Sequence, residues 1–254
     1  MLQPLRRSLL RGLLAATAVN LRVAHAGNIL AASPISRMDL PWWRRRFEEK
    51  QAQLRQGAGL LWLGDSITQN WEKNGPEPWA DFAPMWQRYY GRWNPVNLGF
   101  MGDTTANLLW RLREMVVSPS PPRAAIMLIG ANNFGRVHWS AEATIAGVDA
   151  DLATLRRRLP KTPVLLLSVL PSGRGPWVAA QTDATNRALR TRYGTAGDVV
   201  FQDVTPLFMH NGELDTAKYY DPLLNPPAPP LHPTAQAMAA LAKVIEPSLA
   251  RFLA

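Results

Sequence analysis

Short, almost uninterrupted apolar runs recur along the chain, and each is followed by a stretch in which apolar and charged positions mix. The runs are "LLWL" (60–63), the centre of "NPVNLGF" (94–100), "AAIMLIG" (124–130), "TPVLLLSVLP" (162–171) and "DVVFQDV" (198–204). Their length and composition predict strands. The segments 40–56, 79–90, 104–116, 141–159, 179–192 and 233–253 read as helices, the last with a bend at Pro247. In the first of them Trp43, Phe47 and Leu54 can share one face while the charges take the other.

Strands that are apolar at every position are buried on both faces, which suits a parallel sheet covered by helices. Strands alternating with helices therefore predict a three-layer α/β/α domain. One such domain is expected over residues 37–254, without internal repeats. Functional groups in these sheets collect beyond the carboxyl ends of the strands. Ser66, 99–103, 130–133 and 171–177 all fall just past a predicted strand, so four chemically distinctive turns should share one rim.

Composition narrows the picture. With 254 residues, 47% hydrophobic and 19% charged, the chain can bury one sizeable core. It has no cysteine, which excludes disulfides, thiol catalysis and thiolate metal sites. The first 26 residues read as an export signal: Arg6-Arg7 precede the apolar "GLLAATAV", and Ala24-His25-Ala26 gives a small-x-small cleavage pattern. Arg6-Arg7-Ser8-Leu9-Leu10 resembles a twin-arginine signal, so a periplasmic or secreted protein is expected, the alternative being a cytoplasmic protein with a poorly ordered basic N-terminus. No apolar run reaches the ~18 residues of a membrane span. The net charge is +9, and removing Arg6, Arg7, Arg11 and Arg22 with the signal leaves +5. The remaining basic residues are scattered among acids, as in "RRRFEEKQAQLR", which is a solvated helix face and no nucleic-acid footprint.

The candidate chemistry starts at "LLWLGDSITQNW" (60–71), where an apolar strand runs into Gly-Asp-Ser. A serine at a strand–helix junction lies near free backbone N–H groups, yet its hydroxyl attacks only when a base takes its proton. Four histidines are available: His25 in the signal, His138 and His210 in loops, and His232 in "PPLHPT" before the last helix. An oxyanion hole needs donors aimed at the developing charge. Gly102, lacking a Cβ, can bring its N–H close to a substrate, and Asn132 offers a side-chain NH₂.

Four blocks in this order, "GDSIT" (64–68), "GFMGDTT" (99–105), "GANN" (130–133) and "LHPT" (231–234), resemble the GDSL-type esterases of the SGNH hydrolase superfamily. Within it, "NLGFMGDTTANLLWRL" is most similar to the platelet-activating-factor acetylhydrolase-like branch. The resemblance implies a flavodoxin-like sheet and an acyl-transfer site that needs neither metal nor cofactor. It implies Ser66 as nucleophile and His232 as general base. The oxyanion hole it implies comprises the N–H groups of Ser66 and Gly102 and the side chain of Asn132.

One block departs from the pattern. The family places an aspartate three residues before the histidine, where this chain has Pro229. The segment "YYDPLLNPPAPPLHPT" reads as the family's beginning at Asp221 and its end at His232, with "NPPAPP" inserted between. Asp221 is the expected orienting carboxylate; Asp215, Asp203 or a backbone carbonyl are the alternatives. A small ester is the expected substrate, an acetylated carbohydrate foremost, with a lipid or short-chain ester as the alternative. Trp71, Phe100, Phe134, Trp139 and Trp177 lie in or near the rim loops, where they could stack on sugars or simply pack. An acetyltransferase using the same residues and a non-catalytic glycan-binding protein are the competing readings.

Overall fold

The computed structural model describes residues 29–117, 120–194 and 197–253. The export-signal pattern at 1–26 lies outside them.

Five strands form one parallel sheet: β1 (Leu60–Gly64), β2 (Pro95–Gly99), β3 (Ala124–Leu128), β4 (Val164–Leu167) and β5 (Val199–Gln202). Their order is β2-β1-β3-β4-β5, the flavodoxin-like arrangement. The helices are α1 (Pro41–Gln56), α2 (Ser66–Gln69), α3 (Phe82–Tyr90), α4 (Thr105–Glu114), α5 (Ala131–Gly135), α6 (Ala141–Arg158), α7 (Pro176–Tyr193) and α8 (Ala235–Leu253). The last runs on through Pro247.

Successive strand residues point to opposite faces, so the sheet feeds two cores. Leu60, Trp62, Ile126, Leu128, Leu165 and Leu167 pack with Phe82 and Trp86 of α3 and Met238, Leu241 and Ile245 of α8. Leu61, Leu63, Ala125, Met127, Val164 and Leu166 pack with Leu108 and Leu112 of α4 and Val148, Leu152 and Leu155 of α6. Each fully buried Leu or Val side chain contributes roughly 1.5–3 kcal/mol, which is why no strand position tolerates a charge. Residues ahead of α1 join the second layer: Ala31 is buried, its carbonyl accepts from Thr105 Oγ1 at 2.8 Å, and the Ile35 N–H donates to the Ala106 carbonyl at 3.0 Å.

The register aligns Gly64 with Gly99 on one side and Leu128 on the other, so the turns that follow emerge along one edge. Two of these positions admit only glycine because α2 sits directly on the strand ends. A Cβ on Gly64 would lie 2.2 Å from Thr68 Oγ1 of α2 and 2.4 Å from the Leu128 carbonyl oxygen of β3, and one on Gly99 would lie 2.2 Å from the Gln69 nitrogen.

The strand expected over 162–171 stops at Leu167. Its apolar continuation is a buried loop in which the Asn186 side chain takes the place of a neighbouring strand. Asn186 Oδ1 accepts the Val169 N–H at 2.8 Å, and Asn186 Nδ2 donates to the Val169 carbonyl at 2.9 Å. The four-residue α2, the five-residue α5 and a two-stranded hairpin, β6 (Met209–His210) with β7 (Glu213–Leu214), are too short to carry a periodic signal.

Candidate active site

Ser66 is the first residue of α2, immediately past β1. Asp65 caps the helix, its Oδ1 accepting the Ile67 N–H at 2.9 Å, which turns the chain sharply at the serine. Ser66 is 9% exposed, and its Oγ lies 3.0 Å from His232 Nε2. His232 Nδ1 lies 2.6 Å from Asp221 Oδ1. The other oxygen, Asp221 Oδ2, accepts the backbone N–H groups of Leu231 at 2.8 Å and His232 at 2.5 Å. Serine, histidine and aspartate thus form one hydrogen-bonded series.

The proline insert makes this geometry rather than breaking it. Asp221 opens a tight 3₁₀ turn, Asp221–Leu223, and the chain then bulges outward. It returns where the Ala228 N–H donates to the Asp221 carbonyl at 3.0 Å, and the Gly173 N–H holds the Pro230 carbonyl at 2.8 Å. Eleven positions of sequence separation collapse to direct contact. Asp221 is buried at 4% exposure. Burial pushes its carboxyl pKa up, but the bonds from the His232 ring and from the His232 and Leu231 N–H groups prevail, and it falls below the ordinary value. The other aspartates are engaged elsewhere: Asp203 pairs with Arg190, and Asp215 Oδ1 accepts the Ala217 N–H at 3.2 Å.

Gly102 sits at φ +75°, a conformation that disfavours side chains, and its carbonyl accepts from Arg136 Nη1 at 3.3 Å. Its turn is fixed from both sides. The Met101 N–H donates to Gln69 Oε1 at 2.7 Å, and the Asp103 N–H donates to the Phe100 carbonyl at 3.1 Å. Asn132, in α5 past β3, directs its Nδ2 to the Asp103 carbonyl at 3.0 Å and to Asp65 Oδ2 at 3.3 Å. The structure therefore brings Ser66, Gly102, Asn132, His232 and Asp221 to one edge of the sheet. His138 is exposed against Trp177, and His210 is exposed on the hairpin. His25 lies outside the described residues.

Several neighbours of the site had no role assigned to them by the sequence pattern, although Asp65 and Asp103 lie inside its blocks. Tyr220 stacks on the His232 ring, with centroids 5.5 Å apart and planes 11° from parallel. Its hydroxyl accepts from Asn70 Nδ2 at 2.9 Å and Lys73 Nζ at 3.2 Å. Asp103 is wholly buried and receives Trp43 Nε1 at 2.9 Å, Arg37 Nη1 at 2.8 Å and Arg111 Nε at 2.8 Å. Asp65 is also buried. That burial pushes its carboxyl up to about 6, against the pull of the Ile67 N–H and His232. Of the rim aromatics, Trp71, Phe100 and Phe134 are entirely core, Trp71 packing edge-on against Tyr90. Trp177 alone among the five is strongly exposed, at 42%.

A cleft of about 380 Å³ opens at Ser66 and His232, lined also by Arg46, Gln69, Asn70, Glu72, Lys73, Met101 and Tyr220. All of these lining residues but Met101 carry a polar or charged group. No described helix is long and apolar enough to cross a membrane.

A doubly covered parallel sheet carrying a serine–histidine–aspartate series on its carboxyl edge defines the SGNH hydrolase class. The GDSL-like Lipase/Acylhydrolase family matches residues 62–240, more than half of the chain, and the chain belongs to that family. It is similar to platelet-activating factor acetylhydrolase IB subunit alpha2 of Gallus gallus, with 26% identity over 163 residues covering 64% of this chain and 65% of that protein. The chain thus spans slightly less than two thirds of that relative. Among solved structures, a GDSL-like lipase from Bacteroides thetaiotaomicron is 20% identical with a TM-score of 0.59, covering 82% of this chain and 97% of the other. A carbohydrate esterase family 3 protein from Talaromyces cellulolyticus is 17% identical with a TM-score of 0.55, covering 76% and 97%. These likenesses concern the fold.

Proposed function

We propose that this chain is a serine esterase that hydrolyses small acyl esters, acetyl esters of carbohydrate foremost, through an acyl-enzyme. The observation that carries the reading is the series Ser66 Oγ to His232 Nε2 at 3.0 Å and His232 Nδ1 to Asp221 Oδ1 at 2.6 Å. Ser66 Oγ attacks the ester carbonyl as His232 Nε2 takes its proton. The carbonyl oxygen becomes an oxyanion, the alkoxide leaves, and His232 returns the proton to it. Water, deprotonated by the same nitrogen, then releases the acid and restores Ser66. Asp221 holds the imidazole with Nδ1 protonated, so that Nε2 faces the serine as an acceptor.

The oxyanion donors in this reading are the N–H groups of Ser66 and Gly102 and Asn132 Nδ2. Asn132 serves by yielding the longer of its two bonds, the 3.3 Å contact with Asp65. Polar or charged groups on every lining residue but Met101 support a short acyl group on a hydrophilic alcohol over a long acyl chain, which needs a continuous run of apolar side chains. The twin-arginine-like pattern at 1–26 supports a periplasmic setting.

Intact mass after treatment with a serine-reactive phosphonate tests the mechanism. The wild type should gain one phosphonyl group and Ser66→Ala none. A wild-type protein that never gains mass refutes the catalytic reading and leaves a glycan-binding role.

A further inference from the structure

Two cations line the cleft, Arg46 and Lys73, and those packed behind it are paired with carboxylates. Arg46 pairs with Glu72 at 2.8 Å and donates to the Gly99 carbonyl at 2.7 Å. Lys50 reaches Glu72 from behind at 2.5 Å. Arg37 and Arg111 both serve Asp103. Lys73 differs. Among the described residues no carboxylate lies within ion-pair distance of its ammonium, and its one hydrogen-bond partner is Tyr220 Oη at 3.2 Å. The rest of its surroundings are ring faces: Trp79 at 4.7 Å and Tyr220 at 5.2 Å from Nζ to centroid.

An ammonium has three donors, and ring faces attract its charge without accepting a hydrogen bond along a defined lone pair. A half-buried cation with one neutral acceptor is therefore under-served. Burial lowers the Lys73 pKa, while the charge of Asp221 acts to raise it. Lys73 also belongs to two hollows at once. It lines the cleft with Ser66 and His232, and it lines an adjoining recess of about 350 Å³ with Asn74, Gly75 and Trp79. A substrate with its ester at Ser66 can reach this ammonium without leaving the cleft.

We propose that Lys73 recognises a negative charge on the alcohol portion of the substrate, so that the preferred esters are acylated acids, such as a sugar bearing a carboxylate. This rests on the esterase reading of the same cleft. The second role open to Lys73, bracing Tyr220 against the His232 ring, would act on charged and uncharged esters alike. The two are separable by a matched pair: 4-acetoxybenzoate, which carries a carboxylate, and its methyl ester, which does not.

The measured quantity is the ratio of kcat/KM for the anionic over the neutral ester. Lys73→Met should lower that ratio by about tenfold, the size of one lost charge-assisted hydrogen bond. Lys73→Arg should keep most of it. In the wild type the ratio should also fall as salt rises from about 0.01 M to about 1 M, which shortens the screening length from about 30 Å to about 3 Å. A ratio that moves with neither Lys73→Met nor salt overturns the proposal, whatever happens to the absolute rates. If neither ester is cleaved by the wild type and the phosphonate does not label it, the esterase reading itself has failed.

Discussion

At the scale of single residues the decisive group is Asp221. A buried carboxylate is costly unless its oxygens are paired, and here three donors converge on it, one of them the His232 ring. The aspartate therefore stays ionised and, in the proposed mechanism, stabilises the imidazolium formed as Ser66 attacks. Asp221→Asn keeps the volume but loses the charge, and it favours the wrong imidazole tautomer. Turnover should fall by up to ~10⁴, with KM changed far less. Steady-state kinetics on an aryl acetate would measure it, and turnover within twofold of wild type would remove Asp221 from the mechanism. Ser66 and His232 were legible because each sits inside a short block with a fixed place relative to a strand or helix. Asp221 was legible only by comparison with the usual spacing, since the proline-rich segment separates it from His232. Tyr220 and Lys73 were not legible at all, because their roles come from ring and ammonium positions that no local pattern encodes.

At the scale of elements, the site edge is held by Arg111 of α4. Its Nη1 donates to the Leu98 carbonyl and its Nη2 to the Gly64 carbonyl, both at 3.0 Å, while its Nε binds Asp103. One side chain thus ties the ends of β1 and β2 to the turn that carries Gly102. Arg111→Met fills similar volume but leaves a carboxylate and two strand-end carbonyls short of donors. The loss should be about 3–5 kcal/mol, the usual result of breaking a buried pair by removing one partner. Urea unfolding of the variant would read it directly, and a shift below 1 kcal/mol would mean that Arg37 and Trp43 satisfy Asp103 unaided. The sheet itself was readable in sequence because burial on both faces leaves the strands almost wholly apolar, Asn97 of β2 and Gln202 of β5 being the polar exceptions. Strand ends were less so. Ser168 to Leu170 are as buried as the strand they follow, and only the Asn186 side chain, 17 residues away, marks them as loop.

At the scale of the whole molecule, three carboxyl groups besides Asp221 are sealed inside the fold among the described residues, near the functional edge or behind it. Burial raises the pKa of Asp65, of Asp103 in spite of Arg111, Trp43 and Arg37, and, most strongly, of Asp151, neither of whose carboxylate oxygens has a hydrogen-bond partner among the described residues. Each binds its proton more tightly folded than unfolded. Their contribution to stability is therefore complete below the unfolded pKa and is lost as pH rises through the folded one. For Asp65 that window runs from 3.8 to about 6. Asp65→Asn removes the titration and keeps the helix cap, because the asparagine Oδ1 can still accept the Ile67 N–H. Relative to wild type, the variant should gain stability as pH rises from about 4 to about 6.5, by up to roughly 3 kcal/mol for two pKa units. Below that window the two proteins should differ only by a constant. Thermal melts of both across this range give the difference, and parallel curves would show that Asp65 titrates as an ordinary carboxylate. The direction matters for the site. The residue beside the proposed nucleophile is kept in a state that costs the fold stability at neutral pH, and its Oδ2 holds the Asn132 amide that the proposed oxyanion would claim.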